Sequence, residues 1–320
     1  MLTNLLSIFA EVILPILLLI AVGAFFHRRF QIHLGSLNRL TIYLLVPSFL
    51  FVKIYKSELS LIDMWQITYG VFVPVFVMGF LMFAVLRKTK LSGNELATMI
   101  VASVVFNAGN FGLPVAELYY GSLGKELLRG MRTPDDGVAV QALIIMLSNV
   151  SVWLFGYGAI RLGQGHGLRG ILGFFRLPMI YVLFAAFALQ QSGTKIPTAI
   201  FQPLNWLAAA TVPIMLLTLG AQLAHDAHLP NWRLVSPVLI LKLLVLPALT
   251  AVFVWRLGLW PWPGAQIIIA SAAPTAVNTL VLSIELDGDA RLAASCVFWT
   301  TLLSAITVTG ILALVGFAAR

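Results

Sequence analysis

Asn107-Ala108-Gly109-Asn110-Phe111-Gly112-Leu113-Pro114 lies within an apolar stretch long enough to cross a bilayer, yet it cannot continue as a regular helix. Pro114 removes a backbone donor and its ring collides with the preceding turn, while Gly109 and Gly112 loosen the backbone beside it. In hydrocarbon the freed carbonyls and amides need partners, so such a segment survives only against protein or water. Proline is favoured in the first turn of a helix, so the residues after Pro114 read as a second half-helix starting near mid-membrane. Ala273-Pro274-Thr275-Ala276-Val277-Asn278 repeats the pattern, with Pro274 interrupting an apolar run and Thr275 and Asn278 supplying polar groups. Two half-helix amino termini would aim positive dipole ends and free amides at one crossing point, which suits an anionic group such as a carboxylate. Either break alone reads equally well as a proline kink with structural amides; their matching places in the chain favour the crossing.

The surrounding composition is that of a membrane protein. Of 320 residues, 60% are hydrophobic and 10% charged, with a mean hydropathy of +0.97; a soluble domain has about 45–50% apolar and about 25% charged residues. Too few polar side chains exist to cover a water-exposed surface. That excludes a soluble globular protein and, despite the net charge of +8, a nucleic-acid binder. Long unbroken apolar runs exclude a transmembrane barrel. The single cysteine, Cys296, lies in an apolar run, reads as a buried inert thiol, and excludes a disulfide framework or thiolate metal site. Met1 to Ala10 carries no basic residue and no small-residue cleavage site follows, so the chain opens with a spanning helix rather than a cleavable signal.

A helix needs about 20 apolar residues to cross about 30 Å of hydrocarbon. The runs predict an all-α polytopic protein with ten transmembrane helices, near 6–26, 36–56, 66–86, 96–120, 138–160, 171–191, 199–222, 233–255, 264–285 and 291–316. Basic residues cluster in the loops after the first, third and fifth spans: Arg28, Arg29 and Arg39; Arg87, Lys88 and Lys90; Arg161, Arg169 and Arg176. The positive-inside rule then places those loops in the cytoplasm and both termini outside. Most of the tryptophans flank spans, as an interfacial belt would.

The second half echoes the first. Ile100-Val101-Ala102-Ser103 matches Ile268-Ile269-Ala270-Ser271, and at the same offset of 168 Ala108 pairs with Ala276, Asn110 with Asn278 and Glu117 with Glu285. Leu37-Asn38 matches Leu204-Asn205, Leu14-Pro15 matches Leu177-Pro178, and Leu147-Ser148 matches Leu303-Ser304. Five spans per copy would force the two repeats, 1–161 and 162–320, into opposite orientations around the Gly-rich stretch 163–167. Inverted repeats are the usual build of secondary transporters, with substrate bound near the midplane.

Charged residues in the spans have two readings each. Lys242, about ten residues into the eighth span, either attracts a substrate carboxylate and balances charge, or snorkels or pairs structurally, since a lysine at helix centre costs about 2.5–3.5 kcal/mol. Glu117 and Glu285 read as interfacial or paired carboxylates, with a proton or cation relay as the alternative. Lys53 and Arg256 read as interface anchors. His225 and His228 have an i, i+3 spacing that a metal site uses, but no third ligand accompanies them, and loop solvation is the preferred reading. No phosphate loop or Ser–His–Asp pattern is present, so neither ATP-driven transport nor an intramembrane enzyme is expected, and no cofactor or metal is implied.

The stretch 107–114, followed by Tyr119-Tyr120-Gly121, resembles the fourth-helix signature of the auxin efflux carrier family, and 273–278 resembles its ninth-helix counterpart. The likeness covers the whole chain, and the short middle loop is similar to that of bacterial, malonate-transporter-like members. It implies a fold like that of sodium–proton antiporters and bile-acid transporters. Spans one, two, six and seven would form a scaffold, often dimeric, while spans three to five and eight to ten would form a mobile transport domain whose crossover binds an organic anion. By position it carries Asn107, Asn110 and Pro114 onto the first crossing helix and Pro274 onto the second. Thr275 and Asn278 follow from the repeat alignment, and Thr275 stands where plant carriers have a glutamine-like residue. The expectation is a carrier of small organic anions, carboxylates such as malonate or auxin-like acids, in a bacterial inner membrane, working by an elevator-like shift. The rival reading is a membrane sensor that binds ligand without moving it. Protons, sodium or neither could drive transport.

Overall fold

The computed structural model describes residues 2–122, 134–152, 178–225, 230–285 and 287–318. Because a backbone in hydrocarbon must satisfy its own polar groups, the described residues form helices with short connections, and the only strand-like feature among them is one two-residue pairing. In chain order the helices are α1 (Leu2–Ile8), α2 (Leu14–Phe30), α3 (Leu34–Leu40), α4 (Val46–Lys56), α5 (Leu61–Leu86), α6 (Gly93–Val104), α7 (Leu113–Gly121) and α8 (Pro134–Ser151). They continue with α9 (Pro178–Ser192), α10 (Thr198–His225), α11 (Trp232–Ile240), α12 (Leu246–Arg256), α13 (Gly264–Ser271), α14 (Asn278–Glu285) and α15 (Ala290–Ala318). Among the described residues six stretches are long and apolar enough to cross a membrane: Leu5–Phe30, Leu34–Lys56, Leu61–Leu86, Thr198–His225, Trp232–Arg256 and Ala290–Ala318. The stretch 163–167 and the loop carrying Arg161, Arg169 and Arg176 lie outside the described residues.

Among the described residues four helical joints share one device. The π-helical turns Phe9–Ile13, Thr41–Leu45, Ala108–Gly112 and Leu241–Val245 each end two residues before a proline: Pro15, Pro47, Pro114 and Pro247. A proline has no N–H and its ring crowds the carbonyl four residues back. Widening the preceding turn relieves that crowding and keeps its carbonyls bonded, through Leu14 N–H to Phe9 O, Val46 to Thr41, Gly112 to Asn107 and Leu246 to Leu241. Pro74, Pro203, Pro213 and Pro237 sit within helices without such a turn.

This device relocates the first break. The helix does not restart after Pro114 but at Ala108, and the residues out of helical register are Val105–Asn107, upstream of the proline. The wide turn lets Pro114 ride inside a continuing helix, so the interruption falls where Gly109, Gly112 and the Asn107 cap permit a fresh start. Downstream of Pro274 the second half-helix begins at Asn278. The two interrupted segments run antiparallel through one another: Asn107 N–H donates to Pro274 O at 2.7 Å, and Ala276 N–H to Val105 O at 3.3 Å. Each segment thus supplies the partners its neighbour lost.

Around this crossing, α2 packs along α10, and α9 along α4. Gly23 lies against the Leu217 backbone and Gly220 against the Ile20 carbonyl, a spacing of small residues that lets membrane helices approach closely. Capping boxes at Ser60 with Asp63 and Ser92 with Glu95 start α5 and α6. The outward faces present Phe25, Trp65, Phe80, Trp206, Ile306 and Phe317, as a lipid-facing surface would, whereas α8 is buried without a break from Asp136 to Ile145.

Candidate functional site

The crossing opens onto a cavity of about 160 Å³. Phe106, Asn107, Gly109 and Asn110 line it from the first break, and Ala276, Val277 and Asn278 from the second. Ser148 and Asn149 enter from α8, Asn38 and Thr41 from the start of the second span, and Gln222 from the end of α10. It lies toward the end of the molecule where α2 finishes and α3 begins.

Asn107 is the pivot. Its backbone (φ −76°, ψ 65°) makes a tight turn that ends the break, with Ala108 N–H donating to Phe106 O at 2.8 Å, and its Oδ1 accepts the Asn110 N–H at 3.1 Å, capping the helix that starts at Ala108. Its Nδ2 is buried and, among the described residues, has no partner. On the opposite side Asn278 opens α14 and donates through Nδ2 to Asn149 Oδ1 at 3.2 Å. Gln222 Nε2 reaches Asn38 Oδ1 at 3.1 Å, while its own Oε1 is unpartnered. The wall is held from behind: Ser148 Oγ donates to Phe106 O at 2.9 Å, Gln141 Nε2 to Ala108 O at 2.6 Å, and Gln266 Nε2 to Gln141 Oε1 at 2.7 Å. Gln141 and Gln266 are both buried, so this relay fixes the first turn of the restarted helix.

Among the described residues the lining holds amides and hydroxyls but no Lys, Arg, His, Asp or Glu. Two helices start at its wall, at Ala108 and Asn278, and a helix start carries roughly half a positive charge; its side-chain donors are carboxamides and hydroxyls.

Of the residues expected from sequence, Asn107, Asn110 and Asn278 line the cavity together. Pro114, Pro274 and Thr275 do not: Pro114 lies in α7 downstream of the break, while Pro274 and Thr275 build the crossing behind the cavity. Thr275 is fully buried, with Oγ1 donating to Ala102 O at 2.7 Å and its N–H to Thr300 Oγ1 at 3.0 Å. Lys242 neither reaches the cavity nor snorkels: it is fully buried, donating to Ser271 O at 3.0 Å beneath the Phe106 ring. Glu117 sits away from the cavity, 3.1 Å from Lys53, which also lies 3.4 Å from Asp135. The Glu285 side chain and His228 lie outside the described residues, and His225 packs beside His27 with ring centroids 5.8 Å apart.

Sequence reasoning missed Asn38, Thr41, Ser148, Asn149 and Gln222 as lining residues, and the partners of Lys53. Polar side chains inside apolar runs were the available signal, and Asn38 and Ser148 also marked the internal repeat.

A profile of the family described as membrane transport protein matches residues 8–166 and 170–312. The chain is 27% identical over 310 residues to an uncharacterized transporter of Methanocaldococcus jannaschii, covering 93% of this chain and 96% of that one. It is also 27% identical over 282 residues, 86% of each chain, to an uncharacterized transporter of Methanothermobacter thermautotrophicus. The chain therefore belongs to the membrane transport protein family, the auxin efflux carrier family that its broken helices resemble.

Proposed function

We propose that the protein is a secondary carrier for small organic anions, and that its site is built for one carboxylate rather than two. The observation carrying this reading is the unpaired, buried Nδ2 of Asn107 beside two helix starts in a cavity whose described lining has no charged side chain. Two half-charges sum to about one, which balances a monocarboxylate. A dicarboxylate such as malonate would bury a second charge without a partner, at a cost of several kcal/mol.

In this reading the two five-helix halves form an inverted repeat of ten spans. α1 to α4, α9 and α10 act as a scaffold, paired across a homodimer, and the remaining helices carry the crossover past it in an elevator-like step. The cavity lies at the end bearing Arg28 and Arg29, the cytoplasmic side by the positive-inside rule, with both termini outside a cytoplasmic membrane. The Lys53–Glu117 pair closes the opposite end. Supporting this are the paired breaks, the close α2–α10 contact and the shared family.

Thermal unfolding of the purified protein against acetate, benzoate, indole-3-acetate, malonate and neutral amides tests it. A ligand that binds only the folded state raises Tm as RT ln(1 + [L]/Kd). Stabilisation by a monocarboxylate, weaker with malonate and followed by flux in proteoliposomes, is expected. No shift from any carboxylate overturns the anion assignment; equal shifts from malonate overturn the single-charge reading; binding without flux identifies a sensor.

A further inference from the structure

The crossover brings two helix carboxyl ends together, α6 at Val104 and α13 at Ser271. Each concentrates roughly half a negative charge in a setting of low dielectric. The two ends are covered differently. At α6, the Thr275 hydroxyl donates to Ala102 O and the Ala276 amide to Val105 O, so the neighbouring strand supplies neutral donors. At both ends the amide four residues beyond the repeat-matched serine is turned away, Asn107 N–H to Pro274 O at 2.7 Å and Thr275 N–H to Thr300 Oγ1 at 3.0 Å, but at α13 a charged side chain covers the end instead. Lys242 fills that place with its Nζ 3.0 Å from Ser271 O. The same ammonium stands 5.0 Å from the centroid of Phe106, whose ring face attracts a cation. Lys242 thus touches both broken helices at once, and among the described residues it has no carboxylate partner.

A carbonyl end, a ring face and the exclusion of water make an environment for a cation. We propose that Lys242 is a tethered counter-cation for the crossover, occupying the place a free alkali ion would take at the end of α13, so that the carrier loads substrate without sodium bound there. It is a positioning residue, acting through the Ser271 carbonyl and Phe106 rather than on the substrate. This deepens the carrier reading by assigning one aspect of coupling, but its test reads cation dependence and needs no transported compound.

Lys242→Ala deletes the atoms of one propylammonium ion. Tm is measured at equal ionic strength in choline, sodium and propylammonium chloride for the wild type, Lys242→Ala and Lys242→Met. The wild type is expected to melt at the same temperature in all three salts. Lys242→Ala should gain a few degrees in propylammonium over choline, consistent with ligand-linked stabilisation. Lys242→Met, whose apolar chain fills the same space, should respond to neither cation. A merely space-filling lysine would give no cation-specific gain in the alanine chain, and that result overturns the proposal, as does a sodium-dependent rise in the wild type. If the alanine chain cannot be extracted intact in choline, monodisperse recovery in propylammonium supports the assignment. Failure in both salts while Lys242→Met is recovered counts against it.

Discussion

The backbone amide of Asn107 donates to the carbonyl of Pro274 across 2.7 Å, joining two chain segments 167 positions apart at the centre of the molecule. One end of that link is a helix cap with a spare amide donor; the other is the proline that interrupts the second helix. The amide that ties the crossing and the side-chain donor proposed to meet substrate therefore belong to the same residue.

Asn107 separates the two roles. Asn107→Ala removes both the cap acceptor for Asn110 and the free Nδ2 donor, so stability should fall by about 1 kcal/mol and affinity for a stabilising carboxylate by about tenfold, the equivalent of one hydrogen bond to a charged group. Asn107→Asp keeps an acceptor for the cap but replaces the donor with a negative charge. It should fold normally and lose carboxylate binding altogether. Tm in the absence and presence of ligand reads both, and carboxylate binding retained in the aspartate variant would contradict the site.

Thr275 lies on the structural side of the crossing. Thr275→Val keeps its shape but leaves the Ala102 carbonyl without the hydroxyl that donates to it at 2.7 Å, which should cost about 1–3 kcal/mol. Ligand affinity, measured well below Tm, should stay within about twofold of wild type, a difference of less than 1 kcal/mol. A larger loss of affinity would place Thr275 in contact with substrate.

The α2–α10 contact is set by backbone proximity. A Cβ on Gly220 would collide with the Ile20 carbonyl, and one on Gly23 with the Leu217 backbone, whereas Gly310 in α15 faces open space. Gly220→Ala and Gly23→Ala should each lower Tm or yield, as overpacking costs about 1–3 kcal/mol, and Gly310→Ala should leave both unchanged. Equal behaviour of the three in thermal unfolding would argue against the tight contact.

Lys53, Glu117 and Asp135 join the end of α4 to α7 and α8. The pair is partly exposed, so Glu117→Gln should change stability by no more than about 1 kcal/mol. If the pair holds that end shut, labelling of a Gly121→Cys reporter from the side bearing Lys56 should quicken when Glu117→Gln is added. Gly121 lines the shallow pocket beside the pair and has room for a side chain. An unchanged labelling rate would remove the closing role.

Much of this was legible in the chain. The long apolar runs placed six of the expected spans within a few residues, as in 36–56 against Leu34–Lys56 and 233–255 against Trp232–Arg256. Proline and glycine in the middle of such runs marked both interruptions, because hydrocarbon makes a lost backbone hydrogen bond costly. The exact restart at Ala108 was not legible: whether a turn widens ahead of a proline depends on what packs beside it, here Gln141 on the Ala108 carbonyl. Nor was the fate of Lys242, since Ser271 and Phe106 become its neighbours only after the two breaks cross. Asn38 and Gln222 escaped for a related reason, being separated by 184 positions and joined only by folding.

The four wide turns act as an indexing mechanism. Each inserts one extra residue into its helix, and one residue is about 100° of rotation, so everything beyond the turn is dialled to a new bearing. Deleting one position between Thr41 and Leu45 would wind Pro47 to Lys56 back by that angle and swing Lys53 away from Glu117 without removing any side chain of that segment. In this architecture a single-residue gap just upstream of Pro15, Pro47, Pro114 or Pro247 is a larger change than most substitutions, and the prolines mark where the chain's threading can be reset.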